Sequence, residues 1–331
     1  MTSAVDTPFS LGAEIRAANL VGLRTLAPFL PLHRQRKVLN DLAGTHSSAI
    51  RGRGIDYAEV RAYQPGDDIR AMDWRVTART GDAHIKVFRE EKERPVIIVC
   101  DLRATMQFGT RRAFKSVVAA DLAALLAWSA LDHGDRIGAL LFSDNTETDI
   151  RPKPGRRQVL HLLNALTGVQ AGEPEEGRLA QICRHLRRIV RPGSAVYFIS
   201  DFAGFDDDCE RQLYNIGQHS DLVAIRLTDP LDAQLPPPGH YSIRHGDTRR
   251  VLNTASAATR AAYEADFVQR ANALQAQMNR LRIPLISLST ADADPLPRLR
   301  AGLGLGAATR HTPGSQSGND AAQPASGLNG R

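Results

Sequence analysis

Residues 61 to 79, reading RAYQPGDDIRAMDWRVTAR, gather three carboxylates (Asp67, Asp68, Asp73), four guanidiniums (Arg61, Arg70, Arg75, Arg79) and the indole of Trp74 into 19 residues. Arg51 and Arg53 stand just upstream. Carboxylates this close have two chemical uses. They hold a metal that activates water, or they pair with arginine, whose planar fork clamps a carboxylate bidentately. Pro65-Gly66 makes a turn that presents Asp67 and Asp68, and Arg70 lies close enough in sequence to pair with one of them. The arginines neutralise the acids, and no His or Lys stands in the motif as a base. An ion-pair knot of this kind either braces the fold or docks a partner.

Two further acids are set by the strands before them. Val96-Ile97-Ile98-Val99-Cys100 is a continuous apolar run ending in Asp101, and Val196-Tyr197-Phe198-Ile199-Ser200 ends in Asp201. Continuous runs suit strands buried on both faces of a parallel sheet, and such sheets bind ligands beyond their carboxyl ends. Asp101 and Asp201 therefore reach one rim. With the hydroxyls of Thr105 and Ser200 they form an oxygen set suited to Mg²⁺; the competing use of each aspartate is to cap the helix that follows.

The elements that position these residues follow from periodicity. Phe114, Val118, Leu122 and Leu125 mark a helix after Asp101. Strands are predicted at 137–142, 195–200, 222–227 and 285–288, with helices between them at 157–166, 179–190, 206–218 and 255–281. This alternation predicts an α/β doubly wound sheet. Tyr241 to Arg244 and Arg249 to Leu252 flank Gly246-Asp247 as a β-hairpin insertion near 240–252. Residues 1–45 read as a helical N-terminal arm with Leu20, Leu23 and Leu26 on its apolar side, broken at Pro28 and Pro31. Residues 46–94 read as a small β-rich region, 95–303 as the α/β domain, and 304–331 as a disordered tail of Gly, Ala, Ser, Gln and Asn.

Bulk composition narrows the function classes. The 331 residues are 42% hydrophobic and 24% charged, with net charge +6 and a pI near 9.5, which fits a globular protein. Arginine is interleaved with acid, and no lysine-rich or aromatic-interleaved basic stripe occurs, so nucleic acid is not an expected partner. The most basic segments are Arg184 to Arg188 and the group Arg151, Lys153, Arg156 and Arg157. Three widely spaced cysteines suit a reducing compartment; Cys100, inside a strand, should act as a small hydrophobe. Trp74 and Trp128 read as core or interface anchors. The sequence shows no secretion signal and no apolar run long enough for a bilayer, so no membrane span and a cytoplasmic location are expected. No P-loop, HExxH or GxSxG pattern occurs, so the chain is not itself an ATPase.

The stretch from Gly52 to Gly109, centred on GDDIRAMDW, together with Asp135-Arg136-Ile137-Gly138 and Ser200-Asp201-Phe202, resembles the bacterial domain-of-unknown-function 58 family. The resemblance implies a von Willebrand factor A-like α/β domain preceded by a small β-rich region. It also implies a MoxR-type AAA+ ATPase as partner, in the assembly or activation of a client protein complex. Many members carry two N-terminal membrane helices, which are not expected in this sequence. An A-like domain has a metal-ion-dependent adhesion site of pattern DxSxS. Here that stretch reads Asp101-Leu102-Arg103-Ala104-Thr105, with Arg103 where a ligand serine is expected. The loop from Ala171 to Gly177 lacks the later ligand threonine, and Asp201 matches the last aspartate. The resemblance thus implies a degenerate site of Asp101, Thr105 and Asp201. Arg103 is expected to take the cation position and pair with Asp101 or Asp201, with no cofactor; a weak Mg²⁺ site is the alternative. The expected function is a non-enzymatic adaptor that uses the rim and the contact residues Arg61, Asp67, Asp68, Arg70, Asp73, Trp74 and Arg79. The alternatives are a metal-dependent hydrolase built on Asp67, Asp68 and Asp73, and a nucleic-acid-binding protein.

Overall fold

The computed structural model describes residues 8–32, 55–63, 72–90, 93–170, 172–173, 175–245 and 248–305. The helices are α1 (Ala17–Gly22), α2 (Trp74–Thr80), α3 (Lys115–Asp132), α4 (Arg156–Gly168), α5 (Arg178–Ile189), α6 (Asp207–Gly217), α7 (Pro230–Ala233), α8 (Ala257–Arg280) and α9 (Leu296–Gly302). The strands are β1 (Ile55–Ala62), β2 (His84–Glu90), β3 (Pro95–Asp101), β4 (Arg136–Phe142), β5 (Glu147–Lys153), β6 (Ala195–Ser200), β7 (Asp221–Thr228), β8 (His240–His245), β9 (Thr248–Asn253) and β10 (Leu285–Ser289).

The main sheet has the order β10-β7-β6-β3-β4-β5. All its pairings are parallel except that of β4 with β5. The apolar run of β3 explains its central place. Side chains alternate across a strand, so Val96, Ile98 and Cys100 enter one core while Ile97 and Val99 enter the other. Helices α3, α4 and α9 contribute to the first core, and α5, α6 and the end of α8 to the second. β5 escapes a reading by apolar runs because only Ile150 of Glu147–Lys153 is buried. Its exposed charges suit an edge strand that must not recruit another sheet. From β3 the chain winds outward to β5 and then crosses to β6 on the far side of β3. That reversal leaves a crevice beyond the carboxyl ends of β3 and β6.

Helix α3 is buried from Lys115 to Ala130, on every side. A helix apolar all round needs cover opposite the sheet, and the N-terminal segment supplies it. Leu20, Leu23, Ala27 and Leu30 are fully buried in the same core as α3. Here the expected arm is a short helix continued by a 3₁₀ turn through Pro28. Trp128 Nε1 donates to the carbonyl of Leu20 at 2.9 Å, Ser129 Oγ to that of Leu30, and Arg24 lies over the Trp128 ring. Residues 33–54 lie outside the described residues. β1 and β2 form an antiparallel hairpin with an irregularity between Tyr57 and Glu59. The expected hairpin of β8 and β9 forms in register Tyr241 to Leu252 and Arg244 to Arg249, its turn residues Gly246 and Asp247 lying outside the described set. Leu303 and Leu305 are buried, so packed structure reaches 305; 306–331 lie outside the described residues. Among those described, no helix is long and apolar enough to cross a membrane.

Asp121 is the one carboxylate placed in the middle of α3, with no exposure. It accepts the backbone N–H of Ser10 at 2.7 Å and its hydroxyl at 2.6 Å, while Arg112 donates to the Ser10 carbonyl at 2.9 Å. Burial pushes Asp121 up to about 6, against the opposing pull of Ser10 and Arg112. The unfolded value is about 3.9, so between the two the native state binds more protons. Stability from this group is therefore greatest at low pH and falls as pH rises through 4 to 6, by about 3 kcal/mol in all. Asp121→Asn should remove this component. Urea unfolding of wild type and variant from pH 4.5 to 7 should show the wild type gaining on the variant upon acidification; parallel profiles would refute the assignment.

Candidate functional site at the carboxyl edge of the sheet

The parallel strands end in acid. Asp101 closes β3, Asp201 follows β6, Asp229 follows β7, and Asp144 stands two residues beyond β4. Asp101 is completely buried. Its carboxylate accepts the backbone N–H of Arg103 at 3.0 Å, Arg103 Nε at 3.0 Å, Arg103 Nη2 at 2.7 Å and the Ser200 hydroxyl at 2.7 Å. Burial raises the Asp101 pKa, Arg103 pulls it down and Asp201 adds to the rise. Three of these four donors belong to Arg103, whose fixed positive charge favours the ionised carboxylate against the cost of its burial. Burial also weakens the Arg103 guanidinium, but its pairing with Asp101 leaves its pKa raised. Arg103 further donates to the Ala203 carbonyl at 3.2 Å, lies 3.8 Å from Asp201 and faces the Phe142 ring.

Asp201 is held from its other side by Lys115 Nζ at 3.2 Å, which also lies 3.2 Å from Asp232. Lys115 is buried in the first turn of α3, where the helix dipole disfavours a cation. The two carboxylates offset both penalties. Asp229 binds the outer loops together. It accepts the N–H and hydroxyl of Thr110 at 2.8 and 2.6 Å, the Thr290 hydroxyl at 2.5 Å and the N–H of Leu231 at 2.9 Å. Burial alone would raise its pKa; these donors lower it below the ordinary value. Asp144 accepts the N–H of Ala104 at 2.7 Å. Phe202 takes a left-handed backbone conformation, φ 57°, and donates its N–H to Ser200 Oγ at 2.8 Å. An aromatic residue there marks local strain held by its surroundings.

The two rim carboxylates Asp101 and Asp201 are paired with the cationic side chains of Arg103 and Lys115. The Arg103 guanidinium already fills the space between Asp101 and Asp201, and Lys115 takes the remaining face of Asp201. Thr105 is exposed on the wall of a neighbouring cavity of about 820 Å³. Of the acids at the rim, sequence reasoning found Asp101 and Asp201 and missed Asp144, Asp229 and Asp232. The signal was the recurrence of aspartate at strand ends, and the Asp229-Pro230-Leu231-Asp232 spacing of a helix capping box. Lys115, Arg226 and Arg270 carried no such mark.

The Arg61-to-Arg79 motif divides. Asp67, Asp68 and Arg70 lie outside the described residues. Arg61 pairs through its backbone with Ile85 in the hairpin. Asp73 is buried and caps α2, accepting the N–H groups of Arg75 and Val76 at 3.1 and 3.2 Å. It therefore serves as the N-cap of α2. Trp74 is 66% exposed, and Arg79 is exposed on the same helix. Trp128, by contrast, is a core anchor, and Cys100 is buried. Of the basic segments, Arg184 bridges to Asp208 at 3.3 Å and Arg187 reaches Gln212 at 3.4 Å, both tying α5 to α6. Arg151, Lys153, Arg156 and Arg157 are exposed.

Removing one partner of a buried ion pair costs about 3–5 kcal/mol, so Arg103→Ala should lower stability by that order in chemical denaturation. Arg103→Ser should be similarly destabilised but regain thermal stability on adding MgCl₂, because a hydroxyl returns and the competing cation leaves. The wild type should show no such response. Magnesium-dependent stabilisation of the wild type would overturn the reading of Arg103 as the resident cation.

Comparison with known proteins places the chain. The family model described as protein of unknown function DUF58 matches residues 59–273. Uncharacterized proteins of Mycobacterium bovis and Mycobacterium tuberculosis are each 32% identical over 294 residues, covering 87% of this chain and 90% of theirs. Among solved structures, a conserved hypothetical protein BatB from Bacteroides thetaiotaomicron aligns with TM-score 0.39 at 13% identity, over 63% of this chain and 95% of that one. An aerotolerance-related membrane protein from Bacteroides fragilis aligns with TM-score 0.40 at 13% identity, over 64% and 98%. On the extent of the family match and of the mycobacterial relatives, this chain belongs to the DUF58 family.

Proposed function

We propose that this chain is a non-enzymatic adaptor with a von Willebrand factor A-like domain, coupling a MoxR-type AAA+ ATPase to a client complex through the carboxyl edge of its sheet. The observation that carries this reading is the rim itself. Its charged groups Asp101, Arg103, Lys115 and Asp201 are paired with one another, and Asp229 is held by the hydroxyls of Thr110 and Thr290. A site arranged this way is rigid and chemically spent, which suits docking better than turnover. The doubly wound order with strand-end aspartates supports the A-like assignment. The ATPase as partner is carried over from the family resemblance. Asp73 as a helix cap weakens the hydrolase alternative, which needed it as a metal ligand.

The contact surface should include the exposed side chains of Trp74 and Phe108. Affinity capture of the tagged full chain from its native cells, with ATP or a non-hydrolysable analogue, should recover an AAA+ ATPase in a nucleotide-dependent manner. Trp74→Ala or Phe108→Ala should reduce that recovery about tenfold while leaving the melting temperature unchanged, as expected for an exposed aromatic at a contact centre. Recovery of no ATPase under either nucleotide would overturn the proposal.

A further inference from the structure

At the amino edge of the sheet, opposite the rim, one corner gathers basic side chains from three elements. β4 begins there with Arg136, and β5, running antiparallel, ends there with Arg151 and Lys153, Ile137 lying opposite Lys153. Gln158 Nε2 donates to the carbonyls of Ile137 and Arg151 at 3.0 and 2.9 Å. That bond pins the first turn of α4, with Arg156 and Arg157, to the same corner. On the other face of the sheet, His185 of α5 lies 4.0 Å from Asp149 of β5. Strand and helix both run from that contact toward the amino edge, so Arg188, one turn on, stands level with Arg151. The two basic segments that are separate in the sequence thus meet in the fold. All six cations are exposed, and among the described residues none forms an ion pair. Arg24, exposed over the Trp128 ring near the end of α3, adds a seventh. The described acids of this corner are Asp132, Asp135 and Asp149, which leaves an excess of about four positive charges.

Local structure does not ask for these cations. Arg156 and Arg157 stand in the first turn of α4, where the helix dipole opposes positive charge, and neighbouring like charges repel. Such an excess draws an anionic surface. Exposed apolar side chains at the same end decide which surface. Trp128 Nε1 and Ser129 Oγ, near the end of α3, donate to the carbonyls of Leu20 and Leu30, and so bring Val21 and Phe29 to this end. Leu160 follows Arg156 and Arg157 by one turn of α4. Val21 and Leu160 are each 39% exposed and Phe29 47%. A nucleic-acid backbone supplies phosphates but no partner for aliphatic groups. A bilayer interface supplies both, anionic headgroups for the guanidiniums and the acyl boundary for the apolar side chains. We propose that this corner docks the chain on an anionic lipid bilayer, the basic side chains meeting phosphate headgroups while Val21, Phe29 and Leu160 enter the headgroup–acyl boundary. Docked in this way, the chain turns its carboxyl edge away from the bilayer. The proposal does not rest on the adaptor reading.

The test is co-sedimentation of the full chain with phosphatidylcholine vesicles made with and without phosphatidylglycerol, beside solution titrations with duplex DNA and with polyglutamate. Binding should require phosphatidylglycerol and weaken as NaCl is raised. The pair Arg156→Gln and Arg157→Gln should weaken it about twentyfold, at about fivefold for each basic residue near an anionic leaflet. Removing the same charge elsewhere, by Arg249→Gln and Arg250→Gln on the β8–β9 hairpin, should leave binding unchanged. Leu160→Ser, which keeps every charge, should weaken vesicle binding severalfold. All these positions are exposed, so melting temperatures should stay at the wild-type value. Equal binding to vesicles with and without phosphatidylglycerol would overturn the proposal, as would an equal loss from the hairpin pair or no loss from Leu160→Ser. So would binding of duplex DNA or polyglutamate through Arg156 and Arg157 more tightly than the vesicles, which would make the corner a nucleic-acid or acidic-protein surface instead.

Discussion

A carboxylate with no access to water must find a cation, and Asp101 finds Arg103 two residues along the chain. Most of the rim follows from that pairing. The Arg103 guanidinium reaches Ala203 and approaches Asp201, so the loop after β3 is fixed against the loop after β6 across the switch point of the sheet. Ser200 completes Asp101 and receives Phe202, which holds the strained turn. The pair is worth little as net stabilisation when set against an apolar replacement, because desolvation cancels much of the attraction. Its consequence is geometric. With both partners buried, the loops are held to one arrangement.

The second constraint is the burial of α3. A helix covered on all sides can carry charge only where a partner is supplied, and its two buried charges mark its two connections. Asp121, in its middle, ties it to Ser10 in the N-terminal segment. Lys115, in its first turn, ties it to Asp201 and Asp232 at the rim. The helix thus joins the segment that covers the core to the carboxyl edge of the sheet. Residues 8–32 are part of that core, since Leu20, Leu23 and Leu30 meet the helix face that the sheet leaves open.

Pairing at the rim is uneven, and this shapes the surface. Asp101, Asp201, Asp229 and Asp232 are each satisfied by donors supplied from neighbouring loops. Arg226, half-buried on β7, lies over the Phe267 ring, and its Nε has no hydrogen-bond partner among the described residues.

The apolar runs, the spacing of leucines and the turn residues are local properties, so the sequence alone specified the central strands, the long helices between them, the β8–β9 hairpin, and the placement of Asp101 and Asp201 at one edge. The pairing of Arg103 with Asp101 or Asp201 was expected through the family resemblance, which put Arg103 where a ligand serine belongs. β5 was not, because an edge strand has one buried side chain and no apolar signature. The helix α2 was not anticipated within the stretch read as β-rich, although Asp73 is a favoured cap residue ahead of it. Lys115, Arg226, Arg270 and Asp232 were invisible as a group. They come from four separate elements, spread over more than a hundred residues of chain, and no spacing rule links them. Local sequence determines which way a strand or helix faces; which charges share a wall is decided only when the sheet closes its order and brings the ends of β3, β6 and β7 beside α8.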